Sequence, residues 1–390
     1  MNTKEKDSKY IMHTYGRYNV ALKEGEGSYA YDEEGKKYLD VSSGIGVNCL
    51  GYSDEGFVKA ISQQASQIQH MSNYFYSKPT ADLAEKLCNL TPFSRVCFGN
   101  SGAEANECAI KLARKYSFDK YGDGRNEIIS LNNSFHGRTI TTLSATGQDV
   151  FHNYFFPFTE GFKIAPANDI DALKNLADEK TCAVLMECVQ GEGGINILDK
   201  EYVKAVRAFC DKKDILLIVD EVQTGIGRTG KLYAFEHYDI VPDIVTSAKG
   251  LGGGLPIGAC LCTDKLGEVM RPSTHGTTFG GNPVVCAGAN YVLDKIADKE
   301  FLDEVTKKGE YLKEKLLKIE GVKSVRNLGL MVGIELEDQD AHDIAVKCVE
   351  NGLLIITAKT LLRMLPPLNI SYNELDEAVN ILEKTLKETK

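Results

Sequence analysis

Three short segments of this chain combine residue types that can do chemistry, and each follows a run with strand character. The first, Phe98-Gly99-Asn100-Ser101-Gly102-Ala103, leads from the apolar run Arg95 to Phe98 into an amphipathic helix expected over Ala103 to Lys120. Small residues at a helix start leave consecutive backbone N–H groups open to an anion such as phosphate. Ser101 acting only as a helix cap explains the same residues. No Gly-Lys-Ser/Thr follows, so the loop is not a Walker motif. In the second segment, Ile215 to Val219 runs directly into Asp220-Glu221. A carboxylate at the end of a buried strand needs a hydrogen-bond or charge partner, whether it is a cap, a structural ion pair or a functional group. The third segment is Thr246-Ser247-Ala248-Lys249-Gly250-Leu251-Gly252-Gly253-Gly254. A lysine past a strand is ordinarily solvated. Here the apolar, glycine-rich flank lets a bulky ligand approach the backbone, and a desolvated lysine has the lowered pKa that suits Schiff-base formation.

Elements must hold these segments together, and the patterning supplies them. Short apolar runs recur at Glu127 to Leu131, Ala183 to Met186, Ile215 to Val219, Ile244 to Thr246 and Gly258 to Cys262, with helical periodicity at Ile170 to Leu176 and Lys200 to Asp211. Runs that are apolar on both faces and separated by helices predict an open, largely parallel α/β sheet. Ligands of such sheets collect beyond the carboxyl ends of the strands, where all three segments fall. Upstream, Ser28 to Tyr31 and Lys37 to Val41 read as a hairpin around Asp32-Glu33-Glu34-Gly35. The last hundred residues mix helices (Phe301 to Leu317, Ala341 to Glu350, and one from Glu374) with strands at Leu330 to Leu336 and Leu353 to Ile356. The expected division is a segment 1–53 that packs with a small α+β domain 284–390, and a large domain 54–283 between them.

Composition narrows the functional classes. Lys plus Arg number 45 against 55 Asp plus Glu, a net charge of −10. That balance argues against nucleic-acid or anionic-membrane binding. No apolar run has the length of a membrane helix, and Met1 to Tyr10 lacks the apolar stretch of a secretory signal. The 11 cysteines are scattered without a C-x-x-C pair, which reads as reduced thiols of a cytoplasmic protein. The histidines lack H-x-x-x-H spacing, so no metal is expected.

One chemistry uses a lysine, a strand-end carboxylate and an anion loop together. Pyridoxal phosphate needs a lysine for its aldehyde, a carboxylate to keep its pyridine nitrogen protonated, and a cradle for its phosphate. At these residues the chain resembles the class III, fold type I, pyridoxal-phosphate-dependent aminotransferases. The motifs are Asn-Ser-Gly-Ala-Glu-Ala-Asn-Glu (100–107), Phe-His-Gly-Arg-Thr (135–139), Gln-Gly-Glu-Gly-Gly (190–194), Asp-Glu-Val-Gln-Thr-Gly-Ile-Gly-Arg-Thr-Gly (220–230), Ser-Ala-Lys-Gly-Leu-Gly-Gly-Gly (247–254) and His-Gly-Thr-Thr-Phe-Gly-Gly-Asn-Pro (275–283). They stand in the family's order across nearly the whole chain.

The resemblance implies a large domain with a mostly parallel, seven-stranded sheet, and a homodimer with composite active sites. It implies that Lys249 holds the cofactor and acts as acid and base, and that Asp220 pairs with the pyridine nitrogen. By the same resemblance, Gln223 is expected near the ring's O3′, Gly102 and Ala103 at the phosphate, and Phe135 stacked on the ring. Thr278 is expected to reach the partner's cofactor phosphate. Arg138 would bind a substrate carboxylate, Thr277 would lie beside the substrate, and Arg363 would take the α-carboxylate of glutamate or 2-oxoglutarate, with Glu192 as its gate. His136 is expected to support its loop. The implied reaction moves the δ-amino group of N-acetylornithine to 2-oxoglutarate, as in arginine biosynthesis.

Two departures stand out. Gly51-Tyr52-Ser53 replaces a common Gly-His and is expected to alter the approach to the cofactor, and Glu187-Cys188 replaces Glu-Pro. Gly44-Ile45-Gly46-Val47 lacks the tyrosine that ornithine aminotransferases carry there, which favours an acylated substrate. Ornithine, succinylornithine, acyl-diaminopimelate and 4-aminobutyrate relatives stay open as alternatives. An aminomutase with the same cofactor and a non-enzymatic protein of the same fold are the remaining readings.

Overall fold

The computed structural model describes residues 1–389. A seven-stranded sheet forms its centre, in the spatial order Arg95–Gly99, Gly258–Cys262, Ile244–Ser247, Leu216–Asp220, Thr181–Met186, Glu127–Leu131, Phe162–Ala165. Only Gly258–Cys262 runs antiparallel to its neighbours. Thr181–Met186, Leu216–Asp220 and Gly258–Cys262 are buried at every residue, as strands covered on both faces by helices must be. The edge strand Phe162–Ala165 lacks a continuous apolar run, because the half-buried Lys163 pairs with Glu127 and Asp178 and Ile164 is exposed.

Register brings the three chemical segments to one edge. Asp220 pairs with Thr246, Ser247 with Ala259, and Gly99 with Gly258. The carboxyl ends of Arg95–Gly99, Leu216–Asp220 and Ile244–Ser247 therefore lie side by side. The helix Gly102–Tyr121 starts at this edge, capped by Ser101, whose hydroxyl accepts the Glu104 N–H at 3.1 Å. Gly102 is required there, because a Cβ would stand 2.6 Å from Val222 Cγ1 in the turn after Asp220.

The N-terminal strands Leu22–Glu26, Tyr29–Asp32 and Lys37–Asp40 form a second sheet, which a distant segment completes. Leu353–Leu354 pairs in parallel with Leu39–Asp40. The stretch read as one strand over Leu353 to Ile356 is thus two. Ile356–Ala358 turns away to pair with Leu361–Met364 in the C-terminal sheet, whose other strands are Val322–Leu328 and Met331–Leu336. Two different sheets compete for one short segment, and local periodicity does not reveal that division.

Arg228 knits these layers together. Its guanidinium is buried and donates to Leu330 O at 3.1 Å and Pro366 O at 2.6 Å, with no carboxylate beside it. Burial pulls its pKa down to about 10. The Ser43 hydroxyl donates to Leu365 O, and Leu365 N–H donates to Val41 O at 2.7 Å. The strand carrying Arg363 is thereby fixed against both the turn after Asp220 and the N-terminal segment.

Candidate functional site

A hollow of about 490 Å³ opens at the carboxyl edge of the large sheet. Gly102, Ala103, Phe135, Arg138, Glu192, Asp220, Gln223 and Lys249 all line it. Lys249 begins a short 3₁₀ turn with φ +44°, in the left-handed region that costs a non-glycine residue energy and is tolerated where surroundings over-determine it. Burial lowers its pKa below the ordinary lysine value, and Arg363 adds to that effect, while Glu192, Asp220 and Glu187 oppose it. A nucleophilic amine needs this balance: a desolvated ammonium that loses its proton easily.

Asp220 faces the hollow from a fixed mount. Its Oδ2 accepts from Asn106 Nδ2 at 2.7 Å and from His136 Nδ1 at 2.8 Å, and its Oδ1 accepts from Val222 N–H at 3.0 Å. Asn106 donates as well to His136 O at 2.7 Å and accepts from the Thr246 hydroxyl at 2.8 Å. Asp220, His136 and Asn106 are all buried. Burial pushes the Asp220 carboxyl up, but the bonds from His136, Val222 and Asn106 more than offset it and hold the pKa below the usual value. Asp220 is therefore an anion in an almost dry wall. Asn106 escaped the sequence reading. Its signal was a polar residue one helical turn after Gly102, on the side that faces the sheet.

Glu187 fastens two loops. Its Oε1 accepts the Phe135 N–H at 2.6 Å and its Oε2 accepts the Gly191 N–H at 3.2 Å. Burial and the Asp220 charge raise its pKa. A Cβ at Gly191 would meet Gln223 Oε1 at 2.0 Å, so any larger residue there would have to displace the Gln223 amide. Phe135 projects into the hollow with the Phe151 ring edge-on at 5.9 Å, and the exposed Arg138 guanidinium lies 4.0 Å from the Phe151 centroid.

Arg363, from the strand Leu361–Met364, meets Glu192 in a fork: Nη1 donates to Oε1 at 2.7 Å and Nη2 to Oε2 at 3.3 Å. Gln223 joins both partners, donating to Glu192 Oε1 at 3.2 Å and accepting from Arg363 Nη1 at 3.3 Å. Its amide is thus engaged by the ion pair rather than free over the hollow. Arg363 is 2% exposed. Burial raises the Glu192 carboxyl, but the Arg363 charge and hydrogen bonds more than offset this, so it lies below the usual value.

Three of the expected residues do not line the hollow: Arg363, which sits behind Glu192 and Gln223, and Thr277 and Thr278. The Thr277 hydroxyl accepts from Asn100 Nδ2 at 3.1 Å. Thr278 is exposed in the same loop. Tyr52 is a correction: it does not border the cofactor approach but donates to Asp40 at 2.7 Å within the N-terminal sheet, against Gly25. From the segment 44–47, Val47 lines the hollow, while Ser43, Gly44, Ile45 and Gly46 have φ of +42°, +65°, +65° and +73°.

Comparison with known proteins fits this geometry. The family model described as aminotransferase class-III matches residues 10–386. The acetylornithine aminotransferase of Haemophilus ducreyi is 52% identical over 387 residues, covering 99% of this chain and 98% of the relative. Among solved structures, an ornithine aminotransferase from Toxoplasma gondii superposes with a TM-score of 0.94 at 32% identity, covering 100% of this chain and 97% of its own. An N-acetylornithine aminotransferase from Stenotrophomonas maltophilia gives a TM-score of 0.85 at 36% identity, covering 97% and 98%.

Proposed function

The chain belongs to the class-III aminotransferases, and on that premise we propose that it transfers the δ-amino group of N-acetylornithine to 2-oxoglutarate, giving N-acetylglutamate 5-semialdehyde and glutamate. Aminotransferases of this class depend on pyridoxal phosphate, and the donor set fits that group. Lys249 is a half-buried, desolvated amine for the aldehyde, Asp220 a buried anion for the pyridine nitrogen, and Gly102 and Ala103 offer N–H groups ahead of Ala105, the first intrahelical donor. When bound, the cofactor supplies an electron sink for the charge left when a proton is removed beside the amine.

The residues then divide the work. Lys249 Nζ takes the proton from the amine-bearing carbon of the substrate and holds it for return, as base and then acid. Asp220, kept ionised by His136 and Asn106, would hold a proton on the pyridine nitrogen of the cofactor. Glu187 keeps the Phe135 and Gly191 loops closed around the hollow and limits the entry of water. Arg138, stacked on Phe151 at the mouth, receives a carboxylate remote from the reacting amine.

The fork between Glu192, on the wall of the Lys249 hollow, and Arg363 behind it carries the reading. N-acetylornithine brings its carboxylate far from the reacting amine, whereas glutamate brings one adjacent to it. A planar guanidinium takes the adjacent carboxylate bidentately, and Glu192 masks it for the other substrate. The absence of a phenol hydroxyl in Gly44-Ile45-Gly46-Val47 supports an acylated substrate over free ornithine. Stopped-flow half-reactions with N-acetylornithine, succinylornithine, ornithine and 4-aminobutyrate test this, and N-acetylornithine should react fastest. In Glu192→Gln, the ratio of the acetylornithine to the glutamate rate should fall about 10- to 100-fold, since a charge-assisted bond is worth roughly 1.5–3 kcal/mol. A leading rate with ornithine or 4-aminobutyrate would reject the substrate. Equal slowing of both halves in Glu192→Gln would leave Glu192 as mere support.

The proposed assembly is a homodimer with shared sites. Tyr74, Phe75, Tyr76 and Phe279 expose large apolar surface, and Asn73 Nδ2 donates to Thr277 O at 3.1 Å and Gly280 O at 3.0 Å. An apolar patch of this kind is what a protein partner covers, and it adjoins the loop of Thr278, the residue proposed to reach the partner's phosphate site. Light scattering should give twice the chain mass, and a monomer with full activity would exclude the shared site. The division into 1–53, 54–283 and 284–390 is retained as the proposed domain scheme, supported by the pairing of Leu353–Leu354 with Leu39–Asp40.

A further inference from the structure

Three metal-ligating side chains converge outside the Lys249 hollow. Cys97 comes from the strand Arg95–Gly99, Cys108 from the helix Gly102–Tyr121, and His275 from the loop that carries Thr277 and Thr278. One donor atom of each lies within 4.8 Å of the other two. They border a separate hollow of about 130 Å³, together with Glu104 and Glu107, and it shares no lining residue with the larger one. Cys108 is buried, and Cys97 and His275 are half-buried. The spacing rules for metal motifs could not find this set, because its members come from three elements and pair across 11 to 178 positions of sequence.

We propose that Cys97, Cys108 and His275 form a site for a thiophilic divalent cation of the zinc and cadmium class, with its fourth position open to the small hollow. Zinc holds sulfur at ~2.3 Å and imidazole nitrogen at ~2.0–2.1 Å, so tetrahedral donors sit roughly 3.5–4 Å apart, and donors within 4.8 Å of one another have about 1 Å or less to close. Each thiol loses its proton to solvent on binding. Two thiolates and a neutral imidazole then balance the double positive charge, with the Glu104 and Glu107 carboxylates nearby. One group opposes the cation: Lys111 Nζ donates to Thr274 O at 2.8 Å and lies 3.1 Å from His275 Nδ1. A bound ion would tie the His275 loop to the strand that leads into the anion loop. Thr277, two residues on, already contacts Asn100 in that loop.

The experiment is a titration of the holoenzyme with cadmium by equilibrium dialysis, with the ultraviolet charge-transfer band of a thiolate–cadmium bond as a second readout. One tight ion per chain is expected. Cys97→Ala and His275→Ala should each weaken it at least about tenfold, the lower end of what even changes outside the ligands cause. Lys111→Met should tighten it by removing the competing ammonium. Cys88→Ala, a half-buried thiol outside the set, should leave binding unchanged. His275 sits in a loop, so its variant reports on the site even if a cysteine variant folds poorly. Uptake that persists in His275→Ala without the band changing, or that falls only in Cys88→Ala, would overturn the site.

Discussion

Lys249→Ala should lose turnover by at least about 10⁴-fold while remaining folded. The loss follows from chemistry, because one amine both anchors the carbonyl of the cofactor and moves the proton, and positioned acid–base catalysis alone supplies about 10²- to 10⁴-fold. The fold should survive because this lysine is an electrostatic liability in the native state. Burial lowers its pKa, as expected of a charge that the surroundings compensate incompletely. Alanine has the same difficulty as lysine with φ +44°, so the backbone strain is unchanged by the substitution. Glu192 keeps its fork with Arg363, and Asp220 keeps its bonds from His136 and Asn106, so no neighbouring carboxylate loses its hydrogen-bond partner. Thermal melting should move by only a few degrees. Borohydride treatment of the unaltered protein should fix the cofactor to the peptide containing Lys249. Fixation to another lysine, or a variant that still turns over at more than a hundredth of the normal rate, would overturn the assignment.

What the sequence made legible was local. Runs that are apolar on both faces identify Thr181–Met186, Leu216–Asp220 and Gly258–Cys262 because those strands are buried throughout. The edge strand Phe162–Ala165 is invisible to that test, since the charged Lys163 interrupts the run and Ile164 is exposed. Lys249 and Asp220 stood out because each breaks an apolar context that gives no local reason for a charge. The groups that hold them did not. Asn106 and His136 converge on Asp220 from 114 and 84 positions away, and the Glu192–Arg363 pair, 171 positions apart, was legible only through the family resemblance. Leu361–Met364 is a four-residue strand whose apolar run fits several elements, and only pairing with Met331–Leu336 and Ile356–Ala358 makes it a strand. Tyr52 failed differently. It follows a glycine in a familiar motif position, yet Gly25 leaves room for its ring in the N-terminal sheet, and Asp40 takes its hydroxyl there.

Asp220→Asn tests a buried wall of the site, and its expected cost divides into two measurable parts. The first is catalytic. A neutral amide cannot hold a proton on the ring nitrogen as a carboxylate does, and removal of one preorganised charge partner costs several kcal/mol, or about 10²-fold or more in rate. The second is structural and follows from the hydrogen bonds. Asn106 and His136 both donate to Oδ2, so the oxygen of the introduced amide must occupy that position. The NH₂ then replaces Oδ1 and confronts the Val222 N–H, donor against donor. One lost bond in a buried wall costs about 1–3 kcal/mol. The pH dependence separates the two. The Asp220 pKa is depressed in the folded protein, so its carboxylate stabilises the native state above the ordinary aspartate range, and this contribution disappears as pH falls through the depressed value. The stability gap between the unaltered protein and Asp220→Asn should therefore be widest at neutral pH and narrow in acid. The rate loss should persist wherever both proteins are folded. A variant with near-normal turnover at neutral pH, whatever its melting temperature, would show that Asp220 is a structural anchor and that another group faces the ring nitrogen.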